Sequence, residues 1–165
     1  MKLSEANQQI RPLDIAFNLL YYMHTTWPVH EHYFCNETCL SILFNKKIEN
    51  FVIITSALPE YIEKRFHNLC FERSQDRGLH RFKIIYDGLP VTILSVDEYP
   101  WLESYVEKYA NFNAELLFMD WESQVKDPYN VSDDVLNKRH LKLLYDNENN
   151  DDISQDMLKY IKLFL

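Results

Sequence analysis

The sequence predicts one α/β domain, α+β in its segment order, in which a small mixed sheet is flanked by helices. The chain has 165 residues, of which 47% are hydrophobic, and this is enough for one packed core. The dipeptide Asp87-Gly88 separates two β-branched runs, which is typical of a β-hairpin. Apolar residues after Pro12 recur at helical spacing. Strand and helix signals therefore alternate along a single domain.

The helices are indicated by prolines, caps and apolar spacing. Pro12 is suited to the first turn of a helix, and Trp27-Pro28 disfavours its continuation beyond Thr26. Ser56 is a candidate N-cap, and Pro100 is a candidate helix start. We predict helices over 12–26, 39–44, 59–68, 100–109 and 155–165.

The strands are indicated by short β-branched runs, over 51–54, 81–86 and 91–96. Residues 111–119 are apolar and fit either a helix or a strand. No internal repeat or long linker divides the chain, so we predict one domain over 1–165. Within it we expect an N-terminal helix over 1–30, a core over 33–145 and a C-terminal helix over 153–165.

Composition excludes several classes of function. The chain has 17 Lys and Arg against 25 Asp and Glu, a formal net charge of −8. This balance argues against a broad basic face for nucleic acid or anionic lipid. The only glycines are Gly78 and Gly88, so neither a P-loop nor a dinucleotide-binding GxGxxG motif can be written.

Cysteine usage and the N-terminus predict a cytoplasmic protein. Three cysteines are too few for a disulfide framework and leave one unpaired. The N-terminal residues contain no apolar signal region, and no run of about 18 apolar residues occurs. We expect reduced thiols, no disulfides and no membrane contact.

The order of several segments resembles a known family. Residues 51–66 (Phe-Val-Ile-Ile-Thr-Ser-Ala-Leu-Pro-Glu-Tyr-Ile-Glu-Lys-Arg-Phe), followed by the Asp87-Gly88 hairpin, resemble the head domain of bacterial-type CCA-adding enzymes and poly(A) polymerases. These enzymes are template-independent nucleotidyltransferases of the polymerase-β-like superfamily. Further segments are similar to the family in the same order, at 111–114, 127–130, 135–144 and 155–162. The resemblance covers about 35–164 and implies a nucleotidyltransferase-like head fold.

The resemblance also implies a metal site, and this sequence departs from it. The family holds Mg²⁺ with two carboxylates two residues apart on one strand and a third on the neighbouring strand. The corresponding positions are Asn50, Val52 and Thr92, and none is acidic. The Gly-Gly of the family's phosphate-binding turn corresponds to Asn36-Glu37. We therefore expect the fold without its catalytic centre, and no cofactor.

Displaced carboxylates are the alternative. Glu49, Asp87 and Asp97 lie close in sequence to the expected metal end of the sheet. If they replace the missing ligands, the protein is an active nucleotidyltransferase that uses Mg²⁺.

Two further clusters are candidates for binding. His30, His32, Cys35 and Cys39 place four zinc-type ligands within ten residues, although buried thiols beside histidines of an exposed turn are the favoured explanation. A basic cluster could bind an anion or RNA phosphates, or could be a solvated loop. Its members are Arg65, Arg73, Arg77, Arg81 and Lys83.

The sequence thus favours a catalytically inactive nucleotidyltransferase-fold protein that acts by binding. A protein partner is favoured over RNA or a nucleotide, because an acidic chain suits a basic partner surface. The other two hypotheses are an active transferase and a structural subunit of a larger nucleotidyltransferase complex.

Overall fold

The computed structural model describes residues 5–76, 78–96, 100–144 and 153–165. The described residues form five α-helices: α1 (Glu5–Thr26), α2 (Asn36–Leu43), α3 (Pro59–Phe66), α4 (Trp101–Tyr109) and α5 (Ile153–Phe164). A 3₁₀ turn spans Asn113–Leu116, and a π-helical turn spans Asp133–Asn137. None of these described helices combines the length with the apolar character needed to cross a bilayer.

Seven strands form one mixed sheet. They are β1 (His32–Phe34), β2 (Phe51–Thr55), β3 (Cys70–Asp76), β4 (Leu79–Tyr86), β5 (Leu89–Val96), β6 (Phe118–Met119) and β7 (Val125–Lys126). Their spatial order is β3-β4-β5-β2-β1-β6-β7. Only the central pair of these strands, β2 with β5, is parallel. The predicted mixed α/β class is confirmed, and the three predicted strands are the adjacent strands β4, β5 and β2.

Helices pack on both sides of the sheet. On one side, which we call the α1/α3 face, Leu19 of α1 and Ile62 of α3 are buried with Ile53 and Ile93. On the other side, the α4 face, Tyr105 and Val106 of α4 are buried with Ile54, Leu94 and Val96. Because side chains alternate along a strand, each strand residue is assigned to one of these two faces.

The hairpin between β4 and β5 is confirmed at its turn. Asp87 has φ 48° and Gly88 has φ 81°, so both central residues adopt the left-handed conformation of a type I′ turn. Asp-Gly suits this turn, because glycine has no Cβ to disfavour positive φ and Asp tolerates it.

Several predicted boundaries were wrong. α1 begins at Glu5 and contains Pro12, because a proline removes one N–H but keeps a helical φ, so a helix can continue on both sides. α3 ends at Phe66. Ser56 does not cap α3, since its hydroxyl accepts the Glu31 N–H at 2.9 Å. The edge strand β3 was missed because six of its seven residues are exposed and polar side chains predominate.

Candidate functional site

Two of the three positions that correspond to the family's carboxylates lie side by side on the α4 face. Val52 of β2 is the direct partner of Thr92 of β5 in the parallel register. Asn50 lies directly before β2 and outside this register, and its side-chain amide donates to the Glu37 carboxylate. Because neighbouring strands are about 4.8 Å apart, side chains at positions 52 and 92 are close enough to share a ligand. Val52 and Thr92 are therefore adjacent across the central strand pair.

The chemistry at this location differs from that of a metal site. Thr92 pairs with Lys83 on its other side, and Lys83 pairs in turn with Glu72. The Lys83 ammonium lies 2.9 Å from a Glu72 carboxylate oxygen. An uncharged pair beside a lysine offers neither the negative charge nor the oxygen ligands that Mg²⁺ requires. As built, this row of side chains does not favour a divalent cation.

The N-terminus of α2 lies beside these positions and is covered by α4. Asn36 has φ 51°, so the position that corresponds to a family glycine keeps a left-handed backbone. The Tyr105 hydroxyl donates to the Asn36 side-chain oxygen at 3.2 Å. Tyr105 is buried, and burial raises the pKa of its hydroxyl well above its ordinary value. The neutral Tyr105 side chain therefore covers the N-terminus of α2, which is the kind of helix end that can bind an anion.

A buried threonine joins α2 to β2. The Thr38 hydroxyl donates to the Asn50 carbonyl oxygen at 2.7 Å and accepts the Val52 N–H at 2.8 Å. Thr38 is fully buried. These two bonds hold the segment 50–52 against α2 and set the position of the site.

Replacing Thr38 with valine is expected to destabilise the protein by about 2 kcal/mol, because a buried carbonyl and N–H lose their partner while the shape is kept. Thr38→Ser is the matched control. It keeps the hydroxyl and loses one methyl group, so we expect a cost of about 1 kcal/mol or less. Urea denaturation measures both values. A valine variant as stable as wild type would contradict this role for the hydroxyl.

Two acidic residues lie near the site, of which the sequence indicates Glu37, at the phosphate-binding turn, and does not indicate Glu115. The Glu37 carboxylate accepts the Asn50 side-chain amide at 3.4 Å and lies 3.7 Å from the Lys159 ammonium. The buried Glu115 carboxylate accepts the N–H groups of Asn111 and Phe112, both at 3.1 Å. The N-cap residue Phe112 has no side-chain acceptor, so the sequence lacks the Ser/Thr-x-x-Glu pattern of a capping box and no local signal indicates the role of Glu115.

The structure describes two of the three candidates for displaced carboxylates. Glu49 is exposed before β2, and Asp87 forms the tip of the β4–β5 hairpin. Asp97 lies outside the described residues, beyond the end of β5 at Val96. In the part of the chain that the structure describes, no three His, Cys, Asp or Glu side chains are placed to hold one metal ion.

The zinc candidates are also separated. Both ring nitrogens of His32 are engaged, Nδ1 with the Thr55 hydroxyl at 2.8 Å and Nε2 with the Trp27 carbonyl oxygen at 3.0 Å. His30 Nδ1 lies 3.3 Å from the Ser56 hydroxyl. Cys35 is buried on the α4 face and Cys39 on the α1/α3 face. Burial raises the pKa of Cys39 to about 12, so its thiol remains protonated at neutral pH.

The predicted basic cluster is divided between the two faces. Arg73 forms an ion pair with Glu63 of α3 and lies 5.0 Å from the centre of the Phe82 ring, on the α1/α3 face. Arg81 and Lys83 alternate with Phe82 along β4 and so lie on the α4 face. Arg65 is exposed on α3, and Arg77 lies outside the described residues. The four members that the structure describes are therefore distributed over both faces of the sheet.

The sheet, its parallel β2–β5 pair and the β4–β5 hairpin form a fold that is similar to part of solved CCA-adding enzymes. The structure of the Bacillus stearothermophilus CCA-adding enzyme in complex with CTP is similar over 92% of this chain, with a TM-score of 0.61 and 16% identity. A CCA-adding enzyme in complex with ATP is similar over 89%, with a TM-score of 0.61 and 14% identity. The Thermotoga maritima enzyme in complex with tRNA is similar over 78%, with a TM-score of 0.58 and 13% identity.

The likeness concerns one part of these enzymes. The matched region is 38%, 36% and 32% of their respective chains, so this chain spans less than two fifths of their length. No model of a known protein family and no curated protein matches the sequence. At these identities the comparison establishes the fold, and the function has to be argued from the site.

Proposed function

We propose that this protein does not catalyse nucleotidyl transfer and acts by binding a partner through a nucleotidyltransferase head fold. The single observation that carries the proposal is the row Val52, Thr92, Lys83 on the α4 face. Transfer in this family fold uses Mg²⁺ to activate the attacking hydroxyl and to neutralise the triphosphate. In this protein the corresponding residues Val52 and Thr92 are uncharged, and the next residue across the sheet is the cation Lys83.

The surroundings of α2 support the same conclusion. A triphosphate approaching the N-terminus of α2 would meet the Glu37 carboxylate, and Tyr105 would have to be displaced from Asn36. Tyr105 is 2% exposed, so its displacement would open the α4-face core. Like charge and steric closure both oppose a nucleotide at this location.

Charge guides the choice of partner. The formal net charge of −8 suits a partner protein with a basic surface, since complementary charge steers association. RNA or a nucleotide is a second partner class, which the tRNA complex of a structurally similar enzyme makes reasonable. A cytoplasmic location fits all three cysteines being free.

Nucleotide incorporation tests the proposal. The full chain is incubated with a tRNA lacking its 3′ end, labelled CTP or ATP, and Mg²⁺ or Mn²⁺, beside an active CCA-adding enzyme as positive control. We expect no incorporation by this protein and no heat in calorimetric titration that depends on the metal. Incorporation that is lost in Glu49→Gln or Asp87→Asn would overturn the proposal in favour of displaced catalytic carboxylates.

A further inference from the structure

A cleft lies on the α1/α3 face of the sheet. Two positions that correspond to the family's catalytic centre lie on the other face, the α4 face. It has a volume of about 350 Å³ and is lined by Trp27, Tyr61, Lys64 and Arg65. We call it the Trp27–Tyr61 cleft. Trp27 directly follows α1, and the other three residues belong to α3. The cleft therefore lies where the end of α1 meets α3.

The aromatic sides of the cleft are held in place by packing. The Trp27 ring contacts Phe66 and His32, each with ring centres 6.2 Å apart, and its carbonyl oxygen accepts the His32 Nε2 proton. The Tyr61 ring lies 6.4 Å from the His30 ring. Tyr61 is nevertheless 45% exposed. Trp27 is partly exposed and Tyr61 is exposed, so both rings present aromatic surface on which a base can stack.

The cations of the cleft are not used by the fold. Lys64 and Arg65 follow Tyr61 at spacings of three and four residues, so all three lie on one side of α3. Neither cation has an ion pair or hydrogen bond within the described part of the chain. Arg73 and Lys83, by contrast, are paired with Glu63 and Glu72.

Among the described residues, Lys64 and Arg65 are two unpaired cations side by side in the last turn of α3. The chain carries 25 acidic residues against 17 Lys and Arg, so acidic partners are abundant. The dipole of α3 favours cations in its last turn, but it does not account for two aromatic walls beside them. Two adjacent cations beside exposed aromatic rings are an arrangement that binds single-stranded nucleic acid. A base stacks on an aromatic side chain, and the phosphate contacts Lys or Arg.

We propose that the Trp27–Tyr61 cleft binds a nucleotide unit of single-stranded RNA, with the base against Trp27 or Tyr61 and the phosphate at Lys64 and Arg65. A volume of about 350 Å³ is at the small end of ligand pockets, which fits one nucleotide. Two lysine or arginine contacts need no metal ion. This inference goes beyond the proposed function and does not depend on it.

Fluorescence anisotropy with a labelled six-nucleotide single-stranded RNA tests the proposal, using the full chain in EDTA. We expect measurable binding whose log K falls against log salt with a slope of about −1.4, as for two phosphate contacts on a single strand. Lys64→Gln/Arg65→Gln should weaken binding at least about tenfold, and Tyr61→Leu about tenfold through lost stacking. The control Lys47→Gln/Lys162→Gln removes two exposed lysines elsewhere and should leave the affinity unchanged.

Competitors identify the ligand. AMP should displace the RNA better than ribose 5-phosphate or inorganic phosphate, and a longer oligonucleotide better than AMP if a strand is the natural ligand. If inorganic phosphate displaces the RNA as well as AMP does, the cleft binds anions without recognising the base, and the proposal is overturned. Equal displacement by a poly-glutamate peptide would assign the cleft to an acidic protein segment instead.

The two proposals can fail separately. Absence of binding in EDTA, or binding that is unchanged in Lys64→Gln/Arg65→Gln, overturns the cleft assignment and leaves the non-catalytic function standing. Metal-dependent incorporation of nucleotide overturns the non-catalytic function and leaves the cleft standing. Circular dichroism of each variant confirms that the compared proteins are folded.

Discussion

A variant carrying Asn50→Asp, Val52→Asp and Thr92→Asp is expected to bind Mn²⁺ at least about tenfold more tightly than wild type. Val52 and Thr92 are direct partners on parallel strands, and Asn50 lies two residues before Val52 in the chain. Three carboxylates at these positions would converge on one cation, which supplies the charge and oxygen ligands now missing. Electron paramagnetic resonance of free Mn²⁺ during a titration measures the affinity.

Lys83 is expected to weaken Mn²⁺ binding by the aspartate variant. It is the partner of Thr92, so its ammonium would pair with the new carboxylate at position 92 and compete with the metal. Adding Lys83→Gln to the aspartate variant should therefore tighten Mn²⁺ binding further. This increment is specific to the observed register, since a lysine elsewhere on the sheet would have no such effect.

The matched control for the aspartate variant replaces Val52 and Thr92 with asparagine, which keeps the polarity without the charge. If the aspartate variant is folded and binds Mn²⁺ no better than this control, the three positions do not converge as described. Because Val52 is partly buried, Asn50→Asp/Thr92→Asp provides a second variant that leaves the core contact intact. It should bind Mn²⁺ more weakly than the triple variant but better than wild type.

The second large effect is a loss of stability on acidification that depends on His32. Burial lowers the pKa of His32 from 6.5 to about 4 in the folded protein. Its Nε2 donates to the Trp27 carbonyl oxygen, so Nδ1 is the acceptor of the Thr55 hydroxyl proton. Thr55 is itself buried and accepts the Ala57 N–H. A second proton on the ring would require the Thr55 hydroxyl to turn from donor to acceptor and would place a charge in the core.

The sign of the pH dependence follows from these values. Between pH 6.5 and about 4, His32 is protonated in the unfolded chain and neutral in the folded chain. The stability contributed by neutral His32 is therefore fully present above pH 6.5 and is lost as the pH falls to about 4. The difference corresponds to about 3 kcal/mol. Urea denaturation across this range, for wild type and His32→Gln, measures it.

Other groups also titrate in this range, so the expected result is the difference between wild type and the variant. His32→Gln should show a shallower fall in stability between pH 6.5 and 4. His67→Gln, at an exposed position that follows α3, is the matched control and should keep the wild-type slope. Titration of the His32 ring protons by NMR supplies a second measurement. A midpoint near 6.5 would contradict the described burial.

Local chemistry made much of the fold predictable. The Asp87-Gly88 turn, the β-branched runs of β2, β4 and β5, and the proline before α4 each act within a few residues, so a sequence pattern reports them directly. The edge strand β3 was missed because its side chains are exposed and polar. Its strand conformation comes from pairing with β4, which no local pattern of β3 itself indicates.

The sequence by itself determined a mixed α/β domain, an acidic chain without glycine-rich phosphate loops, and non-acidic residues at 50, 52 and 92. Only the tertiary structure decided the strand register that sets Lys83 beside Thr92 and the contact by which Tyr105 covers the N-terminus of α2. It also placed Arg73 and Arg81 on opposite faces of the sheet and formed the cleft between Trp27 and Tyr61. The physical reason is the same in each case. These contacts join residues far apart in the chain, and their geometry is set by strand pairing and core packing, which spacing along a sequence does not encode.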